Sequence, residues 1–473
     1  MPNNRKRPVT PEDFYLLKTV SDPQLSPDGK RVTYVVSQAD KESDEMRSSI
    51  FVGPADGQTR ARAFTQGKRD SSPRWSPDGR YLAFVSKRGD DEPQLLLAPL
   101  EGGEPRALTT AKFGVSPPAW SPDGKRIAYV ARTGDYKPTK ERNAVEKNAP
   151  RVIRDLRYKL DGVGFYDQRR SHVFVIDVET CAETQVAHGD YENGQPAWSP
   201  DGKWIAFVSD RERDRFQRFW GGDVWVVSAA GGRARQLTRM GGRAGAPAFS
   251  PDGRLIGFIG HENGVEGSSR NQHLYVVPAA GGKAPRSLSA SLDRSPPDPR
   301  VSPGRTFSWS RDGRSVLFLA DDRGARSLYR TGLANGSVSK VLGGDRQITG
   351  FDLTPDGRSI VFSSVWLSQP QEIYVAPLGG GRERNLSHAN DAFARAVDLS
   401  PARRMTYKGA DGWEIEALVL YPRAFRRGRP SPTALQIHGG PHGYHPMPAG
   451  ATLVQYQSMV AAGYVVLLPN PRG

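Results

Sequence analysis

Runs of six or seven residues in which apolar side chains alternate or cluster recur along most of the chain: RVTYVVS from Arg31, YLAFVS from Tyr81, RIAYVA from Arg126, WIAFVS from Trp204, LIGFIG from Leu255, SVLFLA from Ser315 and SIVFSS from Ser359. The two-residue period and the β-branched and aromatic content predict strands, not helices. A second apolar run follows, as in VFVIDV, DVWVVS, HLYVVP and EIYVAP, and then a glycine-rich turn with a short polar strand such as RARQLT or ERNLS. Ahead of each first run stands the same turn, S-P-D-G or a near copy. Proline presets φ at the second position of a type I turn, aspartate suits the third and glycine the fourth, so the motif reads as a hairpin corner.

The turn occurs seven times, with its aspartate at Asp28, Asp78, Asp123, Asp201, Asp252, Asp312 and Asp356, in steps of 50, 45, 78, 51, 60 and 44 residues. Its short steps match the period of about 45 residues of a four-stranded propeller blade. A unit of that size cannot bury both faces alone, and the repeat predicts an all-β seven-bladed β-propeller over residues 12–395. The aromatics before the turns (Trp75, Trp120, Trp198, Phe249 and Trp309) are read as packing between blades. The 78-residue step holds a charged insertion, residues 132–170, between two strands of the third blade. It reads either as a solvated loop with an added hairpin or as a substrate-entrance or subunit contact.

The pattern changes near residue 400. RMTYKGADGWEIEALVLYP reads as a hairpin around Asp411 and Gly412, TALQIHGG as a strand, GATLVQYQSMVAAG as a helix stopped by Gly463, and YVVLLPNPRG as a buried strand. Strand, helix, strand with nearly all-apolar strands predicts a parallel sheet covered on both faces.

Composition narrows the function. Sixty-six Lys and Arg against 51 Asp and Glu give a net charge of +15, but the basic residues are dispersed and no recognition-helix or zinc-finger signature accompanies them, which argues against nucleic acid. The one cysteine, Cys181, reads as a small filler at a strand and suits a reducing compartment. The N-terminus lacks the apolar core of a leader peptide and no run approaches about 18 apolar residues, so the expectation is a cytoplasmic protein with no membrane partner. His438, His442 and His445 could suggest a metal site, yet no cysteine or carboxylate cluster supports one, and neither metal nor cofactor is expected.

The combination of SPDG blades, the DGWEIEALVLYP hairpin and HGGPHG at a strand end before GYVVLLPNPRG resembles the prolyl oligopeptidase family of serine peptidases, nearest its acylaminoacyl peptidase and dipeptidyl aminopeptidase-like branch. The SPDG blades alone are similar to TolB-type propellers that carry no peptidase. What the resemblance implies is an α/β-hydrolase domain, begun here by residues 396–473, and a propeller that admits short peptides to a Ser, Asp, His triad. One of its two oxyanion N–H donors comes from the loop after an early strand. HGGP matches that loop, with Gly440 preferred over Gly439 as donor and His438 ordering the turn. The G-x-S triplets end in Ser116, Ser269, Ser315 and Ser359, and none has glycine two places later. The catalytic Ser, Asp and His are therefore expected downstream of Gly473, and the chain is expected to be C-terminally truncated and inactive alone. The alternative is a non-enzymatic TolB-like binding module with a decayed hydrolase remnant; an esterase is less favoured. Peptide specificity and homo-oligomer formation stay open.

Overall fold

In the computed structural model, the described residues are 6–471 apart from 90, 136–142, 151, 161–163, 218–220, 265–269, 303, 367–368 and 441–442. The chain divides into two compact units, the first formed by residues 1–73, 291–297 and 301–473, the second by 74–290 and 298–300.

Among the described residues, the second unit holds four sheets of four strands, each an antiparallel meander, and one two-stranded hairpin; the first of the four opens in the strand Asp70–Trp75. Their apolar faces meet in three clusters. Leu95, Leu97, Ile127 and Tyr129 join the first and second sheets, Val173, Val175, Ile205 and Phe207 the second and third, and Val224, Val226, Ile256 and Phe258 the third and fourth. The insertion contributes the helix Ala144–Asn148 and a hairpin of Lys159–Leu160 with Gly164–Phe165, between the strands Arg126–Thr133 and Arg170–Asp177. Part of it lies outside the described residues.

The first unit contains three more such meanders. One runs from Lys18–Leu25 to Arg62–Ala63; two others, beginning at Phe307–Trp309 and Arg346–Leu353, are joined by the parallel pairing of Arg326 with Gln347. Val20, Val32 and Tyr34 of the first pack on Val361 and Ile373 of the last. Asn390 fastens the same junction, with Oδ1 accepting from the Lys18 N–H at 2.8 Å and Nδ2 donating to the Lys18 carbonyl at 3.0 Å.

The repeated residues explain why the units are alike. In all seven turns the hydroxyl of the Ser or Thr donates to the aspartate two places on, at 2.5–2.7 Å, as with Ser26 and Asp28 or Thr354 and Asp356. Glycine closes each turn in the left-handed region, at φ +72° in Gly29. A second repeat lies two residues past the short fourth strands, where Thr65, Thr109, Thr238, Ser289 and Ser387 accept a backbone N–H from the third strand at 2.9–3.0 Å.

The first unit ends in a mixed sheet. The strands Ala402–Lys408 and Glu414–Leu420 form the hairpin around Gly412; Glu414–Leu420 pairs antiparallel with Val465–Asn470, which pairs parallel with Thr433–Leu435. The helix Gly450–Ala461 packs Tyr456 and Val460 on Leu418, Leu420, Val466 and Leu468. Its other apolar positions, Leu453 and Val454, meet Val9 and Leu17 of the N-terminal segment and Phe393 and Val397. Thr433–Leu435 is shorter than the strand expected from TALQIHGG, because only three residues pair before the chain turns into the glycines, although Gln436 still donates to the Leu467 carbonyl at 2.9 Å. Among the described residues no helix is long and apolar enough to cross a membrane.

Candidate oxyanion loop and the relatives of the chain

The loop that leaves Thr433–Leu435 carries His438, Gly439 and Gly440 at the carboxyl end of a parallel strand, the end at which α/β sheets place their ligand sites. Gly440 has φ +148°, which a side chain disfavours, and a Cβ on Gly439 would meet nothing within 4 Å, so the turn is open toward solvent. A Cβ on Gly443 would lie 2.7 Å from the Gly439 carbonyl oxygen, and the chain can fold back over the turn because residue 443 has none. His438 Nδ1–H donates to the Gly439 carbonyl at 2.9 Å; its Nε2 is buried with no hydrogen-bond partner among the described residues. His442 lies outside the described residues, and His445 is occupied structurally.

His445 holds the loop to the sheet. Its Nε2–H donates to the Gln436 carbonyl at 2.6 Å and its backbone N–H to Asn470 Oδ1 at 2.6 Å, which closes the loop on its first residue and ties it to the strand Val465–Asn470. Burial lowers the His445 pKa, and His438 at a ring separation of 5.4 Å pushes the same way, partly offset by the Gln436 bond. The imidazole stays neutral and its tautomer is set by a carbonyl.

Sequence reading missed the anchor one residue earlier. The Tyr444 hydroxyl accepts from Gln347 Nε2 at 3.1 Å and from an Arg326 Nη at 3.3 Å, and Arg326 is itself paired with Asp321 at 2.6 Å. Burial and the Asp321 charge raise the Tyr444 pKa, so the phenol stays protonated. Met447 packs in the same region on Ala325 and Val365. Arg404 of the mixed sheet bonds the Arg323 carbonyl, Glu416 and, at 2.8 Å, Asp345. No local pattern marks Asp321, Arg326 or Gln347; only Tyr444, in the HGGPHGYH run, lies beside a motif that the sequence singles out.

The G-x-S serines do ordinary work where they are described. Ser116 Oγ accepts the Val130 N–H at 3.0 Å, and Ser315 and Ser359 start strands. Ser269 lies outside the described residues. So does Gly473, the residue after which the catalytic Ser, Asp and His are expected; the last strand, Val465–Asn470, is described up to its end. Cys181 sits at φ +59° in the turn between Arg170–Asp177 and Glu183–Gln185, half-buried, with Arg106 Nη1 3.3 Å from its sulfur.

Comparison with known proteins bears on both parts of the chain. The TolB beta propeller domain family matches residues 16–161 and 150–306. A Bacillus subtilis protein described as an uncharacterized peptidase, YuxL, is 32% identical over 482 residues, covering 99% of this chain and 71% of the relative. Dipeptidyl-peptidase 5 of Porphyromonas gingivalis is 25% identical, covering 98% of this chain and 68% of the relative. The solved Pyrococcus horikoshii acylaminoacyl peptidase superposes with a TM-score of 0.76 at 20% identity, over 98% of this chain and 67% of that one, a likeness of fold. The chain belongs to the prolyl oligopeptidase-like peptidases that carry a TolB-type β-propeller.

Proposed function

We propose that the chain supplies the propeller and the opening part of the hydrolase layer of a serine peptidase that cleaves short peptides. On this reading the seven meanders, within residues 12–395, are blades of one ring that filters substrates by size, and residues 396–473 begin an α/β-hydrolase domain. The observation that carries the reading is the Gly439–Gly440 turn, open to solvent at the carboxyl end of a parallel strand and tied down by His445 and Tyr444.

In acyl transfer a serine Oγ attacks the scissile carbonyl, a histidine takes its proton and returns it to the departing amine, and water then hydrolyses the ester. Negative charge gathers on the carbonyl oxygen at each tetrahedral stage. A backbone N–H that already points there costs no reorganisation, and Gly440 is our candidate for that donor, with Gly439 second and His438 orienting the turn. No G-x-S-x-G occurs up to Gly473, so we place the nucleophile, the aspartate and the catalytic histidine outside these residues.

Treating the purified 473-residue chain with a fluorophosphonate probe and with acyl-peptide and dipeptide substrates tests this. Neither labelling nor turnover above background is expected. Stoichiometric labelling of Ser116, Ser269, Ser315 or Ser359, with activity lost on its substitution, would overturn the assignment.

A further inference from the structure

The second unit holds a guanidinium that has no countercharge among the described residues. Arg211 lies two residues past the strand Trp204–Ser209 and is half-buried. Its Nε–H donates to Ser209 Oγ at 3.2 Å and one Nη2–H to Asn193 Oδ1 at 3.3 Å; both partners are neutral and almost fully buried. Three rings wall it, with the guanidinium carbon 4.1 Å from the ring centroid of Trp225, 5.0 Å from Tyr191 and 5.8 Å from Phe207. Of the acids nearby, Asp210, just before Arg211, accepts the Glu212 N–H at 3.2 Å; Glu212, just after it, is exposed and forms no ion pair with Arg211; and Glu192, next to Tyr191, accepts the Ser171 N–H at 2.9 Å.

Two further arginines crowd the same place. Arg170 and Arg215 share one exposed carboxylate, Asp190, at 2.7 and 2.8 Å. Arg215 also stacks on Tyr191 and Phe216, and its Nε is buried with no acceptor among the described residues. Among those residues, three guanidiniums answer to one carboxylate. Aromatic faces recover only part of what burying an uncompensated charge costs. Burial pulls the Arg211 pKa down, with only the Tyr191 hydroxyl opposing it. A guanidinium has five N–H donors, and the two used here leave both Nη1–H groups and one Nη2–H without an acceptor among the described residues, a fork that matches a planar carboxylate.

We propose that Arg211, backed by Arg215 and Arg170, is the anchor for a carboxylate of a peptide ligand, with Tyr191 and Trp225 as its apolar walls. The choice of a peptide rests on the peptidase reading above; the charge imbalance does not. Either the C-terminal carboxylate or an acidic side chain would satisfy the fork.

Isothermal titration of the 473-residue chain with three N-acetylated tetra-alanine probes separates the outcomes: the free acid, the C-terminal amide, and an amide with one alanine replaced by glutamate. At least one carboxylate probe should bind about tenfold or more tightly than the neutral amide, and which one identifies the source. Arg211→Gln should erase that difference and Arg211→Lys should restore only part of it, with the melting temperature of each variant reported alongside. If Arg211→Gln does not fold, Arg211→Lys alone carries the comparison, and an unchanged preference in it counts against the fork. Equal binding of acidic and neutral probes by wild type and variants would overturn the proposal and leave the peptide reading standing. Arg211-dependent binding of inorganic phosphate with no peptide binding would also overturn it, in favour of another anion. No binding of any probe would overturn it and count against the peptide reading as well.

Discussion

Trp120 and Trp198 show what single residues of the repeat contribute. Their position before each turn marks them as packing groups, and their rings do lie between sheets; the indole N–H adds a bond that composition cannot reveal. Trp120 Nε1–H donates to the Arg74 carbonyl at 3.0 Å and Trp198 Nε1–H to the Ala119 carbonyl at 2.9 Å, each reaching back into the preceding sheet. Trp198→Phe leaves an aromatic in place but removes the N–H bond and part of the packed ring surface, so it should cost about 1–2 kcal/mol or more. A lowered denaturant midpoint with an unchanged m-value is the signature. The turn aspartates titrate in a related way. The Ser250 hydroxyl, then the Arg254 N–H, lower the Asp252 pKa; burial pushes Asp78 up, yet Ser76 and Arg80 outweigh it and bring that carboxyl down to about 2. A depressed carboxylate stabilises the fold above its unfolded pKa of about 3.9 and loses that contribution as pH falls through the folded value. Melting temperature should therefore drop between about pH 4 and pH 2. Ser250→Ala should lower it at neutral pH and flatten the acid limb, whereas a curve merely displaced downward would remove the turn hydroxyl from the explanation.

At the scale of elements, the loop from Gln436 to Met447 is held from two sides. His445 and Asn470 bind it to its own sheet, while Gln347 and Arg326 reach Tyr444 from the neighbouring meanders of the first unit. Tyr444→Phe leaves two buried donors without their acceptor and removes no apolar surface. Amide exchange across the loop should accelerate about tenfold or more, equivalent to about 1.4 kcal/mol, with the Ala402–Lys408 hairpin unaffected. Unaltered exchange would mean that His445 alone fixes the loop. The loop's existence was legible because glycines after an apolar run are local, and so were the hairpin at Gly412 and the helix stop at Gly463. Its anchors were not. Asp321, Arg326 and Gln347 lie about a hundred residues before Tyr444 in strands whose pattern reports only their buried faces, and a polar group brought in by topology leaves no period. The Arg211 cage was hidden for the same reason, since its rings come from three separate strands and loops.

For the molecule as a whole, the repeat made the meanders readable long before their packing, because each corner repeats the same hydroxyl-to-carboxylate bond. The N-terminal segment was less readable: Val9 and Leu17 pack against Leu453 and Val454, a partnership across most of the chain length that no nearby pattern announces. The central claim is that Gly440 presents the oxyanion donor of a peptidase. It is tested most directly by joining residues 1–473 to the C-terminal remainder of the Bacillus subtilis relative and measuring peptide hydrolysis with and without Gly440→Ala. At φ +148° an alanine is strained, and its accommodation would turn the N–H away. Loss of one such donor is worth about 10²- to 10³-fold in turnover. The expected result is an active hybrid in which Gly440→Ala lowers kcat by that factor and leaves KM within about threefold, because the interaction is made with the transition state and not with the bound substrate. An active hybrid whose kcat is indifferent to Gly440→Ala would contradict the account.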